Sequence, residues 1–166
     1  RTRGHRLDPM TSTLYQLLLA VHIIAVALWL GANFAMGLGS GRAVTAPAEV
    51  NSWWADVQGF MGKTLKNAAF ILLLLTGIGM VIASDDAIKF SAPFVSVGFL
   101  VVIIGGALGG MVFAPGTRKI AESSRNGNTA EAKSTIDRLG MIGAIESLVV
   151  VATIFFMVFK WGGLGG

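Results

Sequence analysis

The sequence predicts an all-α, polytopic membrane protein: a four-transmembrane-helix bundle with a short interfacial amphipathic helix between spans one and two. Three observations carry this expectation. Four stretches, 14–37, 65–84, 93–115 and 139–159, are almost free of charge, and each has about the 17–25 apolar residues that an α-helix needs to cross a hydrocarbon core. Hydrophobic residues make up 54% of the chain and the mean hydropathy is +0.70, far above a soluble domain. Only 13% of residues are charged. The connections between spans are too short for a separate catalytic domain, so residues 1–166 read as one membrane domain with any chemistry inside the bundle or at its rims.

Before the first span stand Arg1, Arg3 and Arg6, an arrangement shared with signal peptides. The apolar run continues past Val26 through Trp29 to Met36, longer than a signal core of about 7–15 residues, and no small-x-small site precedes a polar sequence. It reads as a true span. Residues 1–9 differ in character from the apolar span and read as a poorly structured tail, with Met10 an alternative start and His5 given no role.

In the connection to span two, Val50, Trp53, Trp54, Val57 and Met61 recur at three- and four-residue steps while Glu49, Ser52, Asp56 and Gln58 fall between them. That is the pattern of a helix lying in the interface, anchored by its tryptophan pair at headgroup depth. The third span carries Gly105-Gly106 and Gly109-Gly110, two overlapping G-x-x-x-G patterns, with Gly98 one heptad earlier. Lipid gives helices no hydrophobic reason to associate, so small residues that admit close backbone contact mark a packing seam, inside the bundle or against a second copy. Asn126-Gly127-Asn128 signals a turn, and Thr129 is in position to cap a helix running into the fourth span. Spans three and four thus project as a polar hairpin, which suits either docking to a partner or plain solvation.

Cations are distributed unevenly. One side carries Arg42, Lys63, Lys66, Arg118, Lys119, Arg125, Lys133 and Arg138, eight in all, and the other carries Arg1, Arg3, Arg6, Lys89 and Lys160, five. The positive-inside rule puts the two long connections in the cytoplasm and both termini outside. The net charge of +4 has no basic run behind it, so it reads as contact with membrane lipid and not with nucleic acid. Absence of cysteine excludes disulfides, thiolate metal sites and a cysteine nucleophile. Gly37-Leu38-Gly39-Ser40-Gly41 leaves a helix and is preceded by no strand, so it is not a nucleotide loop. No residue is assigned a catalytic role.

Polar residues inside spans are costly and are the candidates for function. Tyr15, His22 and Trp29 are spaced by seven and line one face of the first span, with His22 near the bilayer midplane and Thr76 and Thr153 at similar depth. His22 is open to three readings: an imidazole hydrogen-bonded to a threonine or a carbonyl, a haem or metal ligand, or a proton relay. Asn33, Asn67 and Glu146 form a second polar cluster nearer the cytoplasmic rim. The carboxyl of Glu146 there is either protonated or paired with a donor such as an asparagine amide, Lys66 or Arg118, as a structural lock or as an ion, proton or ligand site. Met36, Met111 and Met141 fall at the same rim as weak candidates for Cu(I).

The run Leu19-Ala20-Val21-His22-Ile23-Ile24 followed by Leu28-Trp29-Leu30-Gly31 has the form H-x6-W-x-G. It resembles the opening helix of a broad group of small four-helix bacterial membrane proteins: the CopD-like copper-resistance domains, the membrane protoporphyrinogen oxidases and related integral membrane families of unknown function. The resemblance implies the bacterial cytoplasmic membrane and makes His22 the family histidine, which meets haem in the oxidases. Those oxidases also carry a lysine in the third helix, and 93–115 has none. The resemblance therefore leads toward the uncharacterised members. The expected function is a small membrane subunit or scaffold, non-catalytic, binding another membrane subunit, a second copy, lipid or a tetrapyrrole. The alternatives are a haem-binding oxidoreductase using His22 and a copper or proton conduit.

Overall fold

The computed structural model describes residues 12–163; the tail, with His5 and Met10, lies outside them. Among the described residues there are six α-helical segments: α1 (Thr13–Ala43), α2 (Ala48–Met61), α3 (Asn67–Ala83), α4 (Pro93–Leu108), α5 (Ala114–Arg125) and α6 (Thr129–Val158). Two single π-helical turns, Gly62–Lys66 and Gly109–Phe113, fuse α2 to α3 and α4 to α5. The result is four long helices, each apolar and long enough to cross a membrane: Thr13–Ala43, Ala48–Ala83, Pro93–Arg125 and Thr129–Val158. They run alternately up and down, with α1 packed on α3, α3 on α4, α4 on α6 and α6 back on α1. This closed ring is the bundle.

The solvent that the bundle is built for can be read from its surface. In the apolar windows of the first, third and fourth long helices only 17%, 11% and 11% of residues are buried, and Leu75, Ile103, Leu148 and Val158 of the bundle stand 60–70% exposed. A water-soluble bundle turns such side chains inward; here they face outward, as lipid contact requires.

The amphipathic segment between spans one and two is not detached from span two. It is α2, which runs straight into α3 through the first π-turn and packs against α5. Its inner face is small and polar, with Asn51, Ser52 and Ala55 buried, because α5 approaches too closely for large side chains. The tryptophan pair divides: Trp53 is 62% exposed, whereas Trp54 turns inward onto α1, where its ring fills the place a side chain at Gly39 would occupy. Trp54 Nε1 donates to Ser40 Oγ at 3.3 Å and Gln58 Nε2 donates to the same oxygen at 2.8 Å. These bonds clamp α2 to the end of α1.

Turn chemistry decides where the helices stop. Gly127 adopts φ +73° in the Asn126-Gly127-Asn128 turn, and the cap of α6 is Asn128 instead of Thr129. Asn128 Oδ1 accepts from Glu131 N at 3.2 Å while its Nδ2 donates to Glu131 Oε2 at 3.0 Å, a reciprocal arrangement of the capping-box kind. Glu131, well outside the apolar stretch 139–159, also takes Lys119 at 2.9 Å. The hydrogen bonds from Lys119 and Ser123 hold its carboxyl below the usual carboxylate range, so its stabilising contribution is present near neutrality and is lost as pH falls through that lowered value.

One of the two G-x-x-x-G patterns forms the seam. A Cβ on Gly105 would sit 2.5 Å from Trp29 Cζ2 and 3.3 Å from Phe70 Cε1, one on Gly98 would run into Met157, and Gly109 is in ordinary contact with Phe70 at 3.7 Å. Gly106 and Gly110 face open space. At about 100° per residue, each second glycine is carried round to the outer surface. Gly105→Leu should therefore destabilise the bundle by about 1–3 kcal/mol or more, while Gly110→Leu stays within about 0.5 kcal/mol. Thermal melting in mild detergent distinguishes them, and equal melting temperatures for the two variants would remove the seam.

Candidate functional site

Where the two π-turns come level, the four long helices converge on Glu146. Lys66, the last residue of the first π-turn, sets its ammonium 3.0 Å from Glu146 Oε2 and 3.3 Å from Oε1. Both side chains are only 4% exposed. The first helix adds two donors: Trp29 Nε1 at 3.3 Å from Oε1 and Asn33 Nδ2 at 3.1 Å from Oε2. Asn33 Nδ2 also reaches Ser147 Oγ at 3.1 Å. The third helix supplies Phe113, the end of the second π-turn, whose ring centre lies 4.6 Å from Lys66 Nζ. Each carboxylate oxygen thus has two donors, and the ammonium sits against an aromatic face as well as a carboxylate.

The π-turns are what bring this about. A π-turn spreads one extra residue through the helical winding and so rotates the helix beyond it relative to the helix before it. Gly62 opens the first and Gly109-Gly110 the second, residues with little resistance to a changed winding. Just beyond the second, Pro115 has no N–H to offer the carbonyl four residues earlier. With this winding Lys66 points inward and Asn67 outward: Asn67 is exposed and takes no part in the cluster to which its position in sequence assigned it. Arg118 is exposed as well and is not a partner of Glu146. Glu146 is seven residues inside the apolar stretch that begins at 139, about 10 Å deep.

Trp29 is a wall of this site. It is 2% exposed, its N–H is committed to Glu146, and Phe70 meets it edge-on at 4.6 Å. Tyr15, two heptads away, packs among Val81, Ile88, Phe94 and Val95 at the opposite end of the bundle. His22 lies between them and makes a separate contact: Nδ1 is 2.8 Å from Thr76 Oγ1. Because Thr76 Oγ1 donates to the Leu72 carbonyl at 2.6 Å, it accepts from His22, which fixes the Nδ1–H tautomer and leaves the Nε2 lone pair unused. Thr153 bonds back to the Val149 carbonyl. The heptad face Tyr15, His22, Trp29 thus opens onto three different environments, each about 10 Å from the next.

Met111 and Met141 are 78% and 63% exposed on outward faces, and Met36 is engaged through its carbonyl, which accepts from Gln58. They build no enclosed thioether site. Among the described residues no group of three or more His, Asp or Glu side chains is placed to hold a metal ion. What sequence reasoning underrated was Lys66, named only as one possible partner, although a cation two residues into an apolar span was the available signal. Phe113 and Ser147 gave no signal at all. No protein family, curated protein or solved structure matches this chain.

At an effective dielectric constant of 20, charges 3.0 Å apart attract by about 5 kcal/mol, and taking two ions out of water offsets most of that. Removing one partner is another matter, because it strands the other charge. Glu146→Leu and Lys66→Met should each cost about 3–5 kcal/mol, and the double variant much less than their sum. Denaturant unfolding in mixed micelles measures the cycle; additive costs would mean that the two groups do not form a pair.

Proposed function

We propose that this chain is a small, non-catalytic subunit or scaffold of the bacterial cytoplasmic membrane, akin to the uncharacterised four-helix members of the CopD-like group, which binds a protein partner at its charged end. The observation that carries the reading is the saturation of Glu146. A carboxylate poised for proton transfer or ligand binding needs a free oxygen or an approach for substrate; this one is closed by Lys66, Trp29 and Asn33 drawn from other helices. Such a group acts as an internal brace. The surface for a partner is at the other end of α2, in a cleft lined by Glu49, Ser52, Trp53, Asp56, Ser124 and Arg125. There an indole stands exposed, Arg125 pairs with Asp56, and the buried Ser124 hydroxyl has no hydrogen-bond partner among the described residues.

A second reading has its own observation. Metal-binding histidines usually donate their other ring N–H to a fixed acceptor, and the Thr76 bond orients His22 in that way with Nε2 available. His22 Nε2 would hold the iron of a tetrapyrrole, which would supply one-electron chemistry; a second ligand would come from another copy or a partner. An absorbance spectrum of gently purified protein separates the two readings. The scaffold reading expects no Soret band, with His22→Gln costing about 1 kcal/mol or less; a Soret band abolished by His22→Gln establishes the haem reading instead.

Orientation and partner binding are open to the same cysteine-free chain. With the charged end cytoplasmic and both termini outside, an impermeant thiol reagent on intact cells should label Asp86→Cys and spare Thr45→Cys and Asn126→Cys. The reverse pattern would invert the topology. A photo-crosslinking residue at position 53 should form a discrete adduct in cells while one at the lipid-facing position 75 does not, and absence of an adduct at 53 would count against the docking surface.

A further inference from the structure

Sorting the cations of one end by partner separates two populations. Arg125 with Asp56, Lys119 with Glu131 and Lys133 with Asp137 are ion pairs. Four cations have no ion-pair partner among the described residues: Arg42, Lys63, Arg118 and Arg138. All four are exposed. Each belongs to a different long helix.

Three of their heights agree. With the brace as origin and about 1.5 Å per residue, Arg42, nine residues beyond Asn33, and Arg138, eight residues before Glu146, both lie about 12–14 Å toward the charged end. Arg118 shares that level, because Gly116 abuts Leu139 across the helix pair. Lys63 starts lower, about one turn above Lys66, and its flexible four-carbon stem carries the ammonium upward. Immediately beneath this ring the bundle is apolar on the outside: Phe34, Leu38, Leu65, Met111, Met141 and Ile145 are 41–78% exposed.

A ring of unpaired cations above an apolar skin matches one ligand chemistry, a phosphate attached to acyl chains. We infer that this ring is a binding belt for acidic phospholipid, which fixes the depth of the protein and holds its charged end against an anionic leaflet. The inference rests on the membrane-subunit reading and specifies its lipid. Ion pairing makes the selection: Lys119, Arg125 and Lys133 are neutralised by acids of the bundle, whereas Arg42, Lys63, Arg118 and Arg138 are left without an acidic partner among the described residues. The apolar skin distinguishes a lipid from free phosphate, which would have no use for it.

The test uses the full chain in mild detergent, titrated with dioctanoyl phosphatidylglycerol, dioctanoyl phosphatidylcholine or inorganic phosphate. Melting temperature and native mass spectrometry are the readouts. Phosphatidylglycerol should bind and raise the melting temperature, with phosphatidylcholine and inorganic phosphate well behind. Arg42→Gln, Lys63→Gln, Arg118→Gln and Arg138→Gln should each weaken apparent phosphatidylglycerol affinity about fivefold, while Lys133→Gln, in a distal pair, stays within about twofold. Each is scored only if it elutes as a single species, so loss of folding in one leaves the other three to decide. Equal binding of the two lipids, a full response to inorganic phosphate, or an equal loss in Lys133→Gln overturns the belt. A flat lipid titration with the position-53 adduct intact removes the belt alone; a positive titration without the adduct removes only the partner proposal.

Discussion

A buried ion pair in a low-dielectric setting permits very little freedom, and the rest of this bundle is arranged around that limit. Lys66 and Glu146 come from the second and fourth long helices, the remaining acceptor capacity of Glu146 is met by Trp29 and Asn33 of the first, and Phe113 of the third faces the ammonium. Sliding any one helix by a turn, about 5.4 Å, would strand a charge or a polar group in an apolar interior. Hydrophobic packing alone does not fix register so sharply in a membrane, since lipid is as apolar as the helices. The pair's gross attraction is nearly offset by desolvation. Its contribution is therefore to select one arrangement more than to add stability.

The glycine seam and the π-turns arise from the same constraint. For Trp29 to reach Glu146, its indole must lie flush against the third helix, and only a glycine at 105 leaves the space. For Lys66 to point inward, the winding of the second helix must change just before it, and the π-turn ends on that residue. The third helix changes winding at Gly109–Phe113 for the partner ring. Two local departures from α geometry at one level are thus two halves of a single accommodation.

Much of the fold was legible because membrane solvent leaves a coarse signature: twenty or so apolar residues per span are visible without any knowledge of packing. The turn at Asn126-Gly127-Asn128 was legible for a local reason, since glycine at positive φ is a property of the residue itself. Rotational phase was not legible. Counting at 3.6 residues per turn across an unmarked π-turn puts Asn67 where Lys66 belongs, and it gives no means of choosing Gly105 over Gly106. Trp53 and Trp54 show the same limit, for adjacent residues on one helix went to opposite surroundings once α2 proved to be an extension of span two. His22 stood out in sequence as a lone imidazole, yet its tautomer depends on Thr76 being already engaged with the Leu72 carbonyl, a fact of three-dimensional arrangement.

The most direct test is the distance between the two charges in a lipid bilayer. Solid-state NMR on chain labelled with ¹⁵N at lysine Nζ and ¹³C at glutamate Cδ reads this through dipolar dephasing. There are six lysines and four glutamates, so the coupling is assigned by its loss in Glu146→Gln. The expected result is a Lys66–Glu146 coupling consistent with the 3.0 Å Nζ–Oε2 contact. A dephasing curve that is unchanged in Glu146→Gln would contradict the brace.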